Sequence, residues 1–426
     1  MKRILTLLAG ILFSALLLNA QQYDVLDKVK ADIRKSYGME GPHRLDEFGV
    51  ISKAPAGYKP FYISHYGRHG SRYAWDDDTY KLLHDVFKKA KEKHLLTPYG
   101  EEFAAKYQNF YQIPLVNTGD LVPIGYDQHF AIGSFTYENF PQVFKGRKKV
   151  EALSSTGQRC IVSMGAFTLG LKSGNPKLTM RLRSDHVGMT IIAPPSAPGS
   201  LRRHFVGEDD EPALESVEDF FVRTSGYQEV LDKLFTDSSF LEKFEDGTLG
   251  FIRQLWSLLT GYHNYEPEPL FDDLLTEEQR LKFWEADNYL SCRGDITARY
   301  KVIPLLNDII GNAEASFGDP NQAAHLRFGH DYILEGLCSL INVNGMGTVP
   351  ATPEDAKYWF RNYDIPMAAT VLFVFYKNGK GDIIFKVVLN ENDATLPDLT
   401  PVKGNFYRWS DFRAYTDAIL AAHPEK

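Results

Sequence analysis

The chain has 426 residues, of which 44% are hydrophobic and 24% charged, a balance that excludes disordered and fibrous classes. The formal net charge of -8 argues against nucleic acid as a partner, so an anionic ligand would have to be met by a local cluster of cations. The length allows one large domain or two moderate ones, with ample sequence to bury a core.

At the start, Lys2 and Arg3 precede an apolar run from Ile4 to Leu18, and Ala20 offers a small residue before Gln21. This is the pattern of a secretory signal peptide over residues 1–20, and it predicts an exported protein, periplasmic or extracellular. The run is short for a membrane anchor and ends in polar residues, so no stable membrane insertion is expected after cleavage. No Cys follows it, which argues against an attached lipid.

Next comes Phe61–Tyr66, aromatic and β-branched after Pro60, which predicts a strand. A turn over 67–72 follows. Asp76, Asp77 and Asp78 then lead an amphipathic run with Tyr80, Leu83, Val86, Phe87 and Ala90 on one face, a helix with acidic residues at its start. The same unit recurs: a strand over Val150–Ser154, a helix over Thr156–Leu171, and another strand over Leu178–Leu182. It returns as a strand over His325–Phe328, leading through His330-Asp331 into an apolar helix over Ile333–Ile341. Strands alternating with helices predict an α/β fold with a mainly parallel central sheet flanked by helices. Ligands of such folds sit at the carboxyl ends of the strands, where all three polar loops fall.

Between residues 185 and 299 the texture changes. Helical stretches around Val217–Phe221, Glu229–Phe235, Phe251–Leu259 and Glu277–Trp284 are separated by Pro- and Asp-rich links. We read 185–299 as an inserted, mostly helical cap, with 21–184 and 300–426 forming the α/β catalytic domain. Near the end, Thr370–Tyr376 and Ile383–Leu389 flank Asn378-Gly-Lys-Gly381, a hairpin signal. Ser410 is placed to cap a last helix through Leu420. Cys160, Cys292 and Cys338 show no metal-like or Cys-x-x-Cys spacing and read as small buried residues, although an oxidising compartment would permit one disulfide.

The sharpest chemical feature is Arg68-His69-Gly70-Ser71-Arg72, after a strand and before a helix. A neutral, positioned imidazole can attack phosphorus. Flanking guanidiniums favour the neutral form and can grip phosphate oxygens with forked hydrogen bonds. Gly70 allows close backbone approach. The second feature, His330-Asp331, also fits a simple helix cap, but it lies at the same kind of strand end. A carboxylic acid there can protonate a leaving alkoxide and then activate water, while His330 can donate to phosphate oxygens. Arg159 follows Ser155-Thr156-Gly157-Gln158 at a third strand end, near a helix start; alone it reads more readily as a surface residue. His65 is a candidate neighbour of the site and His129 a structural residue. Lys177, Arg181, Arg183, Arg202 and Arg203 form a basic run that fits either extra phosphates or a solvated face. No cluster has metal-ligand spacing, and neither a metal nor another cofactor is expected.

These motifs, Tyr66 to Tyr73, Leu121-Val-Pro-Ile-Gly125, Ser155-Thr156-Gly-Gln-Arg159 and His330-Asp331, resemble in order those of the histidine acid phosphatase family, the larger branch of the histidine phosphatases. Arg68 to Tyr73 and Val387-Val-Leu-Asn-Glu391 are similar to the multiple inositol polyphosphate phosphatases within it. The resemblance implies a phosphohistidine on His69, a phosphate held by Arg68, Arg72, Arg159 and His330, and Asp331 as proton donor. The chain departs from the inositol polyphosphate phosphatases at the second motif. They carry His-Ala-Glu, whereas His330-Asp331-Tyr332 follows the His-Asp phytases and general acid phosphatases. The implied function is hydrolysis of a small phosphate monoester, with phytate or another inositol polyphosphate leading. A broad-specificity acid phosphatase, a sugar-phosphate phosphatase and a non-catalytic phosphate-binding protein are the alternatives. A phosphoglycerate-mutase-like transferase fits less well, given the leader and Asp331.

Overall fold

The computed structural model describes residues 25–210 and 213–426; the expected leader over 1–20 lies outside them. Its strands are β1 (Lys59–Arg68), β2 (Lys149–Ser154), β3 (Thr179–Ser184), β4 (Gln322–Gly329), β5 (Thr370–Lys377), β6 (Ile383–Leu389), β7 (Asn392–Ala394) and β8 (Tyr407–Arg408). They form one sheet in the order β3-β2-β4-β1-β5-β6-β7, with β8 also paired to β6. Neighbours from β3 to β1 run parallel. From β1 onward every pairing is antiparallel.

The sheet is therefore mixed, which corrects the expected mainly parallel one. The physical reason lies in the hairpin. The tight connection around Asn378 is too short for a crossover helix, so β6 must return antiparallel to β5. Instead of standing apart, that hairpin joins the sheet through β5 on β1.

Flanking helices include α1 (Asp78–Glu92), α2 (Pro98–Phe110), α3 (Pro123–Asn139), α4 (Gln158–Gly174), α5 (Tyr227–Leu234), α6 (Gly247–Gly261), α7 (Glu277–Ala298), α8 (Ile303–Ser316), α9 (Asp331–Leu340) and α10 (Trp409–Ala422). Their starts follow local chemistry. Thr97 caps α2 ahead of Pro98, and Thr276 with Gln279 forms a reciprocal capping box on α7. Ser410 does not cap the last helix: it lies inside α10, whose N-cap is Arg408.

Both faces of the central strands β4, β5 and β6 are buried, with the side-chain alternation that the strand period dictates. Val371, Phe373 and Phe375 of β5 face one core together with Leu334 and Leu337 of α9. Leu372, Val374 and Tyr376 face the other, with Phe167 and Leu171 of α4. A separate apolar cluster is built only from helices and loops. It joins Leu83 and Phe87 of α1, Phe103 and Tyr107 of α2, Leu231 of α5, Leu255 of α6 and Trp284 of α7. All three cysteines are free and buried. Among the described residues, no helix is long and apolar enough to cross a membrane.

Candidate active site

Three adjacent parallel strands, β2, β4 and β1, end side by side. Their carboxyl ends deliver Ser155, His330 and His69. Residues far apart in sequence thus meet because the strands carrying them are neighbours. The His69 and His330 rings lie 5.7 Å apart between centroids.

The His69 loop is pinned on both sides. His69 N–H donates to the Gly329 carbonyl (3.0 Å), and its own carbonyl accepts from Ala368 N–H (2.8 Å). Gly70 N–H donates to Ser163 Oγ (3.0 Å), and Ser71 N–H to Gln128 Oε1 (2.9 Å). The loop also packs tightly against the start of α3. A Cβ on Gly70 would lie 2.3 Å from the Gly125 carbonyl oxygen. Gly70→Ala should accordingly destabilise the fold by about 1–3 kcal/mol through overpacking. A denaturant midpoint equal to that of the parent protein would refute this.

Within the loop, His69 Nδ1 lies 3.0 Å from the Gly70 carbonyl oxygen. A carbonyl only accepts, so Nδ1 carries the proton and the Nε2 lone pair is left available. Burial, followed by the positive charges of Arg72, Arg68 and Arg159, holds the His69 pKa well below the usual imidazole value. The ring is therefore neutral at any moderately acid pH, the state a nucleophilic imidazole requires.

Arg68 is fully buried. Its Nη1 donates to the carbonyls of Met39 and Ile365, and its Nη2 forms a 2.6 Å ion pair with Asp331 Oδ2. Arg72 Nη2 and Arg68 Nη2 lie 3.3 and 3.7 Å from Glu40 Oε1. Arg159 reaches in from α4, where its Nη1 donates to the Gly119 carbonyl (3.4 Å). In all three arginines Nε is buried without a hydrogen-bond partner. Buried donors normally find acceptors, so these three can serve an anion placed among them.

His330 is the N-cap of α9 and Asp331 its first residue. His330 Nε2 lies 3.0 Å from Ser155 Oγ. Burial first, then the nearby arginines, lowers its pKa to about 4. Asp331 Oδ1 accepts from Tyr332 N–H (2.8 Å). Burial pushes the Asp331 carboxyl up, but the charges of Arg68 and Arg72 and this backbone hydrogen bond outweigh it, so its pKa ends below the usual carboxylate value. The helix start adds a further preference for negative charge.

All six residues singled out in the sequence, Arg68, His69, Arg72, Arg159, His330 and Asp331, thus lie at the carboxyl ends of β1, β2 and β4 or on the loops and helix starts that follow them. His129 stands behind them: its Nε2 donates to the Arg68 carbonyl (2.9 Å). His65 is fully buried between Phe167 and Phe328. The basic run lies elsewhere. Arg181 and Arg183 line a groove with Glu151, Asp308 and Arg327, and Arg203 pairs with Glu425. A cavity of about 1160 Å³ beside residues 28–47 includes none of the six. Glu40 was not legible in the sequence, since no motif or spacing ties the 33–40 segment to the His69 loop. Among the described residues, no group of three or more His, Cys, Asp or Glu side chains is placed to hold a metal ion.

Comparison with known proteins places these features in a class. The histidine phosphatase superfamily (branch 2) matches residues 67–228. This match indicates a phosphatase enzyme. Several solved structures share the fold of the chain. The multiple inositol polyphosphate phosphatase of Bifidobacterium longum, in complex with inositol hexasulfate, superposes with a TM-score of 0.69 at 16% identity, covering 89% of this chain and 97% of that one. The phytase of D. castellii gives 0.63 at 15% identity, over 91% and 86%. Hafnia alvei phytase, in complex with myo-inositol hexakis sulphate, gives 0.54 at 16%, over 86% and 98%. A search of curated protein sequences finds no match.

Proposed function

We propose that the protein hydrolyses phosphate monoesters through a phosphohistidine on His69, with phytate or another inositol polyphosphate as substrate. The observation that carries this reading is the neutral, buried His69 facing three arginines whose Nε groups lack acceptors. A phosphate placed there engages Arg68, Arg72, Arg159 and His330. His69 Nε2 attacks phosphorus, the bond to the ester oxygen breaks, and Asp331 protonates the departing alkoxide. Asp331 then takes a proton from water, which attacks the phosphohistidine. Inorganic phosphate leaves and His69 is regenerated.

Asp331 must be protonated for the first half of this cycle, although Arg68 and Arg72 favour its carboxylate in the free protein. A phosphate dianion competes for those guanidiniums and adds negative charge beside Asp331. Both effects raise its pKa, so substrate itself recruits the acid. The inositol reading is supported by the motif resemblance and by similar structures whose ligands are inositol hexasulfates. We further propose that 185–299 caps the site and that the protein acts after export, without residues 1–20.

The test is phosphate release from phytate beside a panel of sugar phosphates, from acid to neutral pH. Turnover of phytate at the highest kcat/KM supports the full proposal. Preference for sugar phosphates keeps the chemistry and rejects the inositol assignment. Folded protein that releases phosphate from no ester rejects the catalytic reading.

A further inference from the structure

The cycle above has no role for Glu40. This residue ends the segment Ile33–Glu40, and its carboxylate lies against the Nη2 atoms of both Arg72 and Arg68. Its backbone is firmly held. The Glu40 carbonyl accepts from Asn264 Nδ2 (2.7 Å), and Asn264 Oδ1 accepts from the Ser71 hydroxyl (2.7 Å). The preceding carbonyl, of Met39, accepts from Arg68 Nη1. The segment is thus tied to the phosphate loop at three points. About a third of the Glu40 side chain remains exposed, so the carboxylate is at the site rather than buried beneath it.

We propose that Glu40 is an internal competitor for the phosphate position and sets how tightly the site holds phosphate. This rests on the phosphatase reading. The guanidiniums of the site face the carboxyl groups of Glu40 and Asp331, while burial holds His69 and His330 neutral. Asp331 can discard its charge by taking up a proton, which the reaction needs. Glu40 has no such role, and its carboxylate, set against both guanidiniums, opposes a bound dianion across the shared arginines. The opposition acts on the ester and on inorganic phosphate alike. It therefore weakens KM and product inhibition together, which is the signature of uniform binding. A site with three arginines closed around phosphate would otherwise release its product slowly; Glu40 keeps the product exchangeable.

Glu40→Gln preserves shape and backbone contacts and removes only the charge. Inorganic phosphate is titrated calorimetrically into the parent protein, Glu40→Gln and Glu40→Asp at one ionic strength, and KM and kcat are measured with p-nitrophenyl phosphate. We expect Glu40→Gln to bind phosphate about tenfold more tightly, with KM lowered in parallel and the thermal midpoint unchanged, and Glu40→Asp to stay close to the parent. Glu40→Ala provides the second variant should Glu40→Gln fold poorly, and it should shift affinity in the same direction. Unchanged or weaker phosphate binding in a folded, charge-removed variant would overturn the role of Glu40 while leaving the phosphatase reading intact. A parent protein that binds no phosphate would overturn both.

Discussion

His69→Ala should lower phosphate release by on the order of a thousandfold or more, leaving a protein that still folds and still binds phosphate. The size follows from chemistry. Water can replace the nucleophile, but it lacks the covalent intermediate that divides a difficult displacement into two easier ones. Binding should survive because the guanidinium donors belong to Arg68, Arg72 and Arg159, none of which relies on the imidazole for a hydrogen bond. The decisive readout is alkali-quenched protein exposed to a labelled ester. The parent should carry acid-labile phosphate on histidine, and the variant none. Undiminished turnover in the variant would remove His69 from the mechanism.

Asp331→Asn should cost about 10²- to 10⁴-fold, and the cost should depend on the leaving group. An alkyl or inositol alkoxide departs poorly without a proton, whereas p-nitrophenolate needs little help. The variant should lose much more activity on the alkyl ester than on the aryl one. Asparagine keeps an acceptor for Tyr332 N–H, so the α9 start is preserved while the acid is lost. Equal losses on both esters would argue that Asp331 merely positions Arg68 through their 2.6 Å ion pair.

The candidate site was legible where it is contiguous. Arg68, His69 and Arg72 sit in five consecutive residues between a strand and a helix, so local pattern both found them and aimed them. His330 and Asp331 were legible for the same reason, and α1 buried the face marked by Tyr80, Leu83, Val86, Phe87 and Ala90. What escaped was non-local. The pairing of β5 with β1 cannot be read from either strand: both are almost wholly buried, so neither shows the polar alternation that would mark a partner face. Glu40 escaped because its place in the site depends on Asn264, a residue of another segment entirely. The helical cluster likewise draws on α1 and α2 as well as α5, α6 and α7, a gathering that composition along the chain does not display.

The pinning of the His69 loop has a consequence for how the protein matures. The backbone of Arg68 and His69 is held by Ala369 and Ala368 on one side and by Gly329 on the other. These partners are made long after the loop they hold. A growing chain that has emitted its most recognisable motif still lacks the surfaces that hold the His69 loop. Contacts over such sequence separations form late in folding, so the ordered His69 loop is a property of the finished sheet. A chain still being synthesised would carry the full set of early motif residues and yet lack the contacts that hold them.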